Sequence, residues 1–193
     1  MPLLYFVAVG LGYILVEIAF IQRFVLFLGH PTYALTVVIF LLMLSSGAGS
    51  LFSRLWLPRT EMVWVPLVLV IATLIFDLFF MPSRLAALVG LGLGYRFLIS
   101  AVLLVPLGFV MGMPFPTGLR ALDPDGRGSS EQRSAADNAV EWAWAMNAAA
   151  SVLGSVLAIV IAIQFGLNVT LACGAGAYLL ALLLTSALHS KAT

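Results

Sequence analysis

Six polar side chains stand in or beside long apolar runs of this sequence: Glu17, Gln22, Arg23, His30, Asp77 and Asn147. Glu17 is the sharpest of them. An acidic or basic group at the centre of a membrane-spanning helix costs about 2.5–3.5 kcal/mol on insertion scales, so a carboxylate there must face other protein or be protonated. It can then serve as a proton or cation site, or as a hydrogen-bonded clamp between helices. Arg23 follows six residues later, about 240° further round an α-helix. The two do not share a face, so a partner for Glu17 must come from another helix. Asn147, Ser45 and Ser46 are the candidates.

Arg23, with Gln22 beside it, lies near the end of the first run, where a guanidinium can snorkel toward headgroups. His30 sits in Gly29-His30-Pro31, a helix break. There an imidazole either caps the next helix or titrates near neutral pH. Asp77 is a second carboxylate with proton- or cation-coupling chemistry, near the end of the third run. Asn147 belongs to a stripe in which Asn147, Ser151 and Ser155 recur every four residues, as do Ala150, Gly154 and Ala158. Small residues let helix backbones approach and polar ones bond across the contact. Asn147 is therefore either interhelical glue or the lining of a solute path.

Several chemistries have no residues to perform them. No Gly-rich strand-to-helix loop is present for a nucleotide or adenosyl group. There is no Gly-x-Ser-x-Gly elbow and no His-Glu-x-x-His run. His30 and His189 are too far apart in the chain to form a haem or metal motif. The lone Cys173 excludes an intramolecular disulfide and a cysteine-based cluster. With a net charge of +1 and no basic patch, nucleic acid is not an expected partner. The sequence thus predicts no catalytic residue, no cofactor and no metal.

The elements that must position these residues follow from hydropathy. Of 193 residues, 63% are hydrophobic and 9% charged, against roughly 25% charged in a soluble domain. Long apolar runs with short polar breaks predict an all-α, polytopic membrane bundle of about six helices in a single transmembrane domain. The spans are expected at 3–28, 32–52, 62–81, 96–116, 140–165 and 169–188. Residues 82–95 are too short in apolar length to cross and read as an interfacial or re-entrant piece. Pro106 is expected to kink the fourth span. Residues 117–138 read as a hydrophilic cytoplasmic loop, with Trp142 and Trp144 anchoring the following helix at the interface.

Arg54, Arg59, Arg120, Arg127, Arg133 and Lys191 fall on one side of this arrangement, and Arg23, Arg84 and Arg96 on the other. The excess of basic residues predicts that both termini are cytoplasmic.

Longer blocks carry a family resemblance. Gly12-Tyr13-Ile14-Leu15-Val16-Glu17-Ile18-Ala19-Phe20-Ile21-Gln22-Arg23-Phe24 leads into Leu28-Gly29-His30-Pro31-Thr32-Tyr33. Ser46-Gly47-Ala48-Gly49-Ser50, Met113-Pro114-Phe115-Pro116-Thr117-Gly118-Leu119-Arg120 and the run from Trp142 to Ser155 follow in order. The chain resembles the membrane region of bacterial spermidine-synthase-like proteins, the major-facilitator/spermidine-synthase fusions. The resemblance implies half of a major-facilitator-like fold in a bacterial inner membrane. It also implies an aminopropyltransferase-like soluble domain, and nothing in this sequence matches one.

Two functions are therefore expected. One is a non-catalytic accessory or anchoring subunit whose partners are membrane lipid, other membrane subunits or further copies, or a separate aminopropyltransferase-like protein. The alternative is a half-size carrier that dimerises to move a small cationic solute such as a polyamine.

Overall fold

The computed structural model describes residues 2–57, 60–122 and 130–189. Among them there is no strand. The helices are α1 (Pro2–Leu28), α2 (Pro31–Trp56), α3 (Trp64–Leu88), α4 (Leu93–Met111), α5 (Pro114–Leu122), α6 (Ser130–Phe165) and α7 (Leu167–His189), with a short 3-10 turn at Thr60–Val63. Six stretches are long and apolar enough to cross a bilayer, α4 and α5 together forming the one at Leu93–Leu122. The protein is an all-α, multi-pass membrane bundle. Helices are the required solution, because hydrocarbon offers the backbone no hydrogen-bond partner.

Two turns are set by glycines. Gly29 (φ 80°) and Gly166 (φ 90°) end α1 and α6 in the left-handed region, which costs a residue with a Cβ. After Gly29, His30 adopts an extended backbone and caps α2: its Nδ1 accepts from the Thr32 N–H at 3.3 Å. Pro31 fills the first helical position, where no N–H is needed.

Three boundaries differ from the sequence reading. Residues 82–95 do not form a separate re-entrant piece. α3 runs through Pro82 to Leu88, and only a tight turn separates it from α4. The turn is closed by the Leu91 N–H on the Leu88 carbonyl, with the Arg96 Nε donating to the Leu91 carbonyl at 2.8 Å. A proline forfeits one helical bond without forcing a stop. α4 contains Pro106 and ends at Met111, so the span expected at 96–116 divides at Gly112 and Met113, ahead of Pro114 and Pro116. The loop at 117–138 shrinks from both ends. Residues 117–122 extend α5, and α6 starts at Ser130, where Glu131, Gln132, Ala135 and Ala136 are good helix formers. Residues 123–129 lie outside those described.

α1 is the hub. It packs along α6 and α7 and, on another side, against α2. α2 lies against α4, and α3 against α7 and α4. The seam between α2 and α4 is backbone to backbone. A Cβ added at Gly49 would overlap the Phe109 carbonyl oxygen, and one at Gly112 the Ser46 carbonyl oxygen. Buried Phe20, Phe24, Phe27, Leu42, Leu104 and Leu107 belong to one continuous core to which α1, α2 and α4 all contribute. α2 and α6 both flank α1 but do not pack on each other.

Candidate functional site

Two polar constellations emerge, both anchored on α1. The first is buried at two of its three members. Arg23 of α1 is 8% exposed and Asp77 of α3 is 4% exposed. Asn168, the second residue of α7, is exposed and completes the group: its Oδ1 accepts from the Arg23 Nη2. The Arg23 Nη1 and the Asp77 Oδ2 are both buried without a hydrogen-bond partner. The two charges act on each other, yet no ion pair joins them among the described residues. The Gly166 turn puts Asn168 one turn of chain from the end of α6, so the group lies near the end of the bundle where α1 ends and α7 begins.

Arg23 is held toward the end of the bundle, where α7 supplies an amide and α3 a carboxylate that acts on it. One expectation is corrected: Asp77 is not near the end of its helix, since α3 extends eleven residues beyond it.

The second constellation is open. Along α1, Tyr13, Ile14, Glu17, Ile18 and Ile21 are each only half-buried, although the rest of the helix is the most enclosed in the bundle. This stripe faces the gap between α2 and α6. The Tyr13 hydroxyl lies 3.4 Å from the Ser46 Oγ of α2. On the α6 side, the Ser151 hydroxyl donates to the Asn147 carbonyl at 2.9 Å and lies 3.4 Å from the Gly10 carbonyl. Gly10 is needed there: a Cβ would stand 2.6 Å from the Asn147 Oδ1 and 2.7 Å from its carbonyl oxygen. Glu17, one turn beyond Tyr13, makes no hydrogen bond or ion pair among the described residues. Neither Asn147, Ser45 nor Ser46 reaches it. Ser45 gives its hydroxyl to the Leu41 and Leu42 carbonyls of its own helix.

The small-residue stripe of α6 is the surface that α1 uses. Ala150, Gly154 and Ala158 are buried, and a Cβ on Gly154 would overlap Ile14 and lie 2.9 Å from Leu11. Of the polar row, Ser151 alone approaches α1 through its hydroxyl. Ser155 returns its hydroxyl to the Val152 carbonyl at 2.7 Å. Much of the outer face of α6 is exposed, including Val152, Leu153, Val156 and Ile163. Gln22 is half-buried and takes no partner among the described residues, and His30 serves as the cap of α2.

Sequence reasoning missed Tyr5, Asn168 and Tyr178. The Tyr5 hydroxyl donates to the Pro114 carbonyl at 2.8 Å and holds the start of α5 against α1. Tyr178 is fully enclosed with an unpartnered hydroxyl. Asn168 reads in the sequence as a turn residue beside Gly166. The polarity of such residues is visible in the sequence, but their targets are long-range.

A groove of about 400 Å³ between α1, α6 and α7 is lined by Leu4, Leu11, Leu157, Cys173, Leu180 and similar side chains. Among the described residues, no three His, Cys, Asp or Glu side chains converge as a metal site would require. No family model, curated protein or solved structure matches this chain.

Proposed function

We propose that this chain is a non-catalytic membrane module that works as an accessory or anchoring subunit of a larger membrane assembly, with the α1 stripe between α2 and α6 as its contact face. One observation carries the reading: Glu17 lies near the middle of a spanning helix, on a half-open face, with no partner among the described residues. In bare hydrocarbon that position is costly, and a protein partner that offers a hydrogen-bond donor or a cation at the same depth relieves it. The exposed apolar rows of α2 and α6 on either side suit the flanks of such a contact. The sequence resemblance adds an aminopropyltransferase-like protein as a partner this module could anchor, in a bacterial inner membrane with both termini cytoplasmic.

A second reading has its own support. Tyr13, Glu17, Ser46, Asn147 and Ser151 flank the same stripe with polar groups. If a second copy closed over it, those groups would line a shared path for a small cationic solute, as in a half-size carrier.

A photo-crosslinking side chain in place of Ile21 tests both in native membranes. An adduct with a different polypeptide supports the accessory reading. An adduct of twice the chain's own mass supports the carrier reading. Adducts with lipid alone would overturn both.

A further inference from the structure

The buried group at Arg23 plays no part in that contact face, and its geometry raises a separate question. A guanidinium and a carboxylate enclosed together ordinarily bind each other. Here Arg23 gives its Nη2 to the neutral amide of Asn168, while its Nη1 and the facing Asp77 Oδ2 stay unpartnered. A neutral carboxyl competes weakly with an amide for a guanidinium, whereas a carboxylate competes strongly, since charge-assisted bonds are the stronger class. In the geometry shown, the amide holds the guanidinium and the Asp77 Oδ2 has no donor.

We propose that Asp77 is a proton-binding site and that its proton decides which acceptor Arg23 holds. With Asp77 protonated, Arg23 is held by Asn168 and ties α1 to the first turn of α7. When the carboxyl releases its proton to water, the carboxylate draws the guanidinium across to α3. Asn168 loses its donor, and the α1–α7 tie becomes an α1–α3 tie. The O–H of Asp77 breaks and one forms on the accepting water; no other covalent bond changes.

The other groups around Asp77 do not compete for this role. Arg23 is the one charged group that acts on it among the described residues. From α7 come Asn168 and Thr170, the latter bonded to the Gly166 carbonyl. From α4, Arg96 is occupied by the Phe27 and Leu91 carbonyls. On α3 itself, Arg84 is exposed two turns further on. α3 can respond to such a change because it barely touches α1 and leans on α7 and α4 instead.

The test is NMR of the full chain in lipid nanodiscs, with carbon-labelled aspartate carboxyls and nitrogen-labelled asparagine side chains. Asp77, Asp123, Asp125 and Asp137 are the only aspartates, so Asp77→Asn assigns the carboxyl signal. Asn168→Ala assigns the amide. Between about pH 4 and about pH 9, a range that spans ordinary and raised carboxyl values, the Asp77 signal should move from acid to carboxylate. The Asn168 amide should shift with the same midpoint, and in Asp77→Asn it should stop responding to pH. If Asp77→Asn does not fold, Asp77→Glu serves for the assignment, and the shared midpoint in the unaltered protein remains the criterion. An Asp77 carboxyl fixed in one state throughout, or one that titrates without Asn168, would overturn the proposal.

Discussion

Arg23 of α1 and Asp77 of α3 are both buried and act on each other without forming an ion pair, each keeping one unpartnered polar atom. Their worth to the fold is therefore conditional on both being present. Above the pH at which Asp77 releases its proton, removing one leaves an uncompensated buried charge, which costs about 3 kcal/mol or more. Removing both leaves only a packing change. Arg23→Met and Asp77→Leu should each lower stability sharply, and the double variant should recover most of the loss. Unfolding followed by a reversible denaturant titration in detergent measures the cycle. Additive losses would mean that the two residues act independently.

The α2–α4 seam predicts a contrast among three glycines, two of them only two residues apart in α2. Gly49→Ala and Gly112→Ala push a methyl group into the carbonyl oxygens of Phe109 and Ser46. Backbone cannot yield as a side chain does, so each should cost about 3 kcal/mol, the upper end for overpacking. Gly47→Ala has nothing within reach and should gain up to about 1 kcal/mol from helix propensity. On the other seam, Gly154→Leu should behave like Gly49→Ala, because Ile14 and Leu11 occupy its space. Yield of monodisperse protein and thermal midpoint report the outcome. A tolerant Gly49 would place the α2–α4 contact elsewhere.

Two enclosed tyrosines should respond oppositely to loss of their hydroxyls. Tyr5→Phe strips a donor from the Pro114 carbonyl and should cost about 1–2 kcal/mol. Tyr178→Phe removes a hydroxyl that is buried without a partner and should be neutral or stabilising. Thermal unfolding of the two variants in one detergent decides the sign of each.

How much of this was legible in the sequence follows from what is local and what is not. The spans were legible because length and hydropathy are properties of one segment. The stripe Ala150, Gly154, Ala158 was legible because four-residue spacing defines a helix face before any partner is known. The setting of Arg23 was not, since it depends on Asp77 and Asn168, which lie 54 and 145 residues away. The passage of α3 through Pro82 was also hidden. A proline and three glycines within residues 82–95 suggest interruption, and only packing of Leu85 against the core carries the helix onward.

Six crossings return the end of α7 to the side on which α1 starts. The basic bias predicts that this side is cytoplasmic. Single cysteines at Ser129 and Ser190, both outside the described residues, should react with a membrane-impermeant maleimide only after the membrane is opened, in a Cys173→Ala background. Labelling of either from the outside of intact cells would invert the orientation.

Glu17 offers the most direct test of the module's dependence on a partner. In the isolated chain the carboxylate meets lipid or detergent on a half-open face, so it burdens the fold. Glu17→Leu should therefore raise the stability of the purified chain, by up to about 2 kcal/mol, less than the full central cost because the site is half-buried. Glu17→Gln should leave it nearly unchanged or slightly more stable, since the amide keeps the shape and loses the charge. In native membranes the order reverses. A partner that supplies a donor or cation at this depth loses its counterpart when the carboxylate goes. Both variants should then weaken the protein adduct captured from position 21, and Leu more than Gln. The two measurements together separate the cases. A stabilised chain with a weakened adduct means that Glu17 is spent on assembly. If Glu17→Leu destabilises the isolated chain, the carboxylate serves a contact within the bundle and the assembly reading fails.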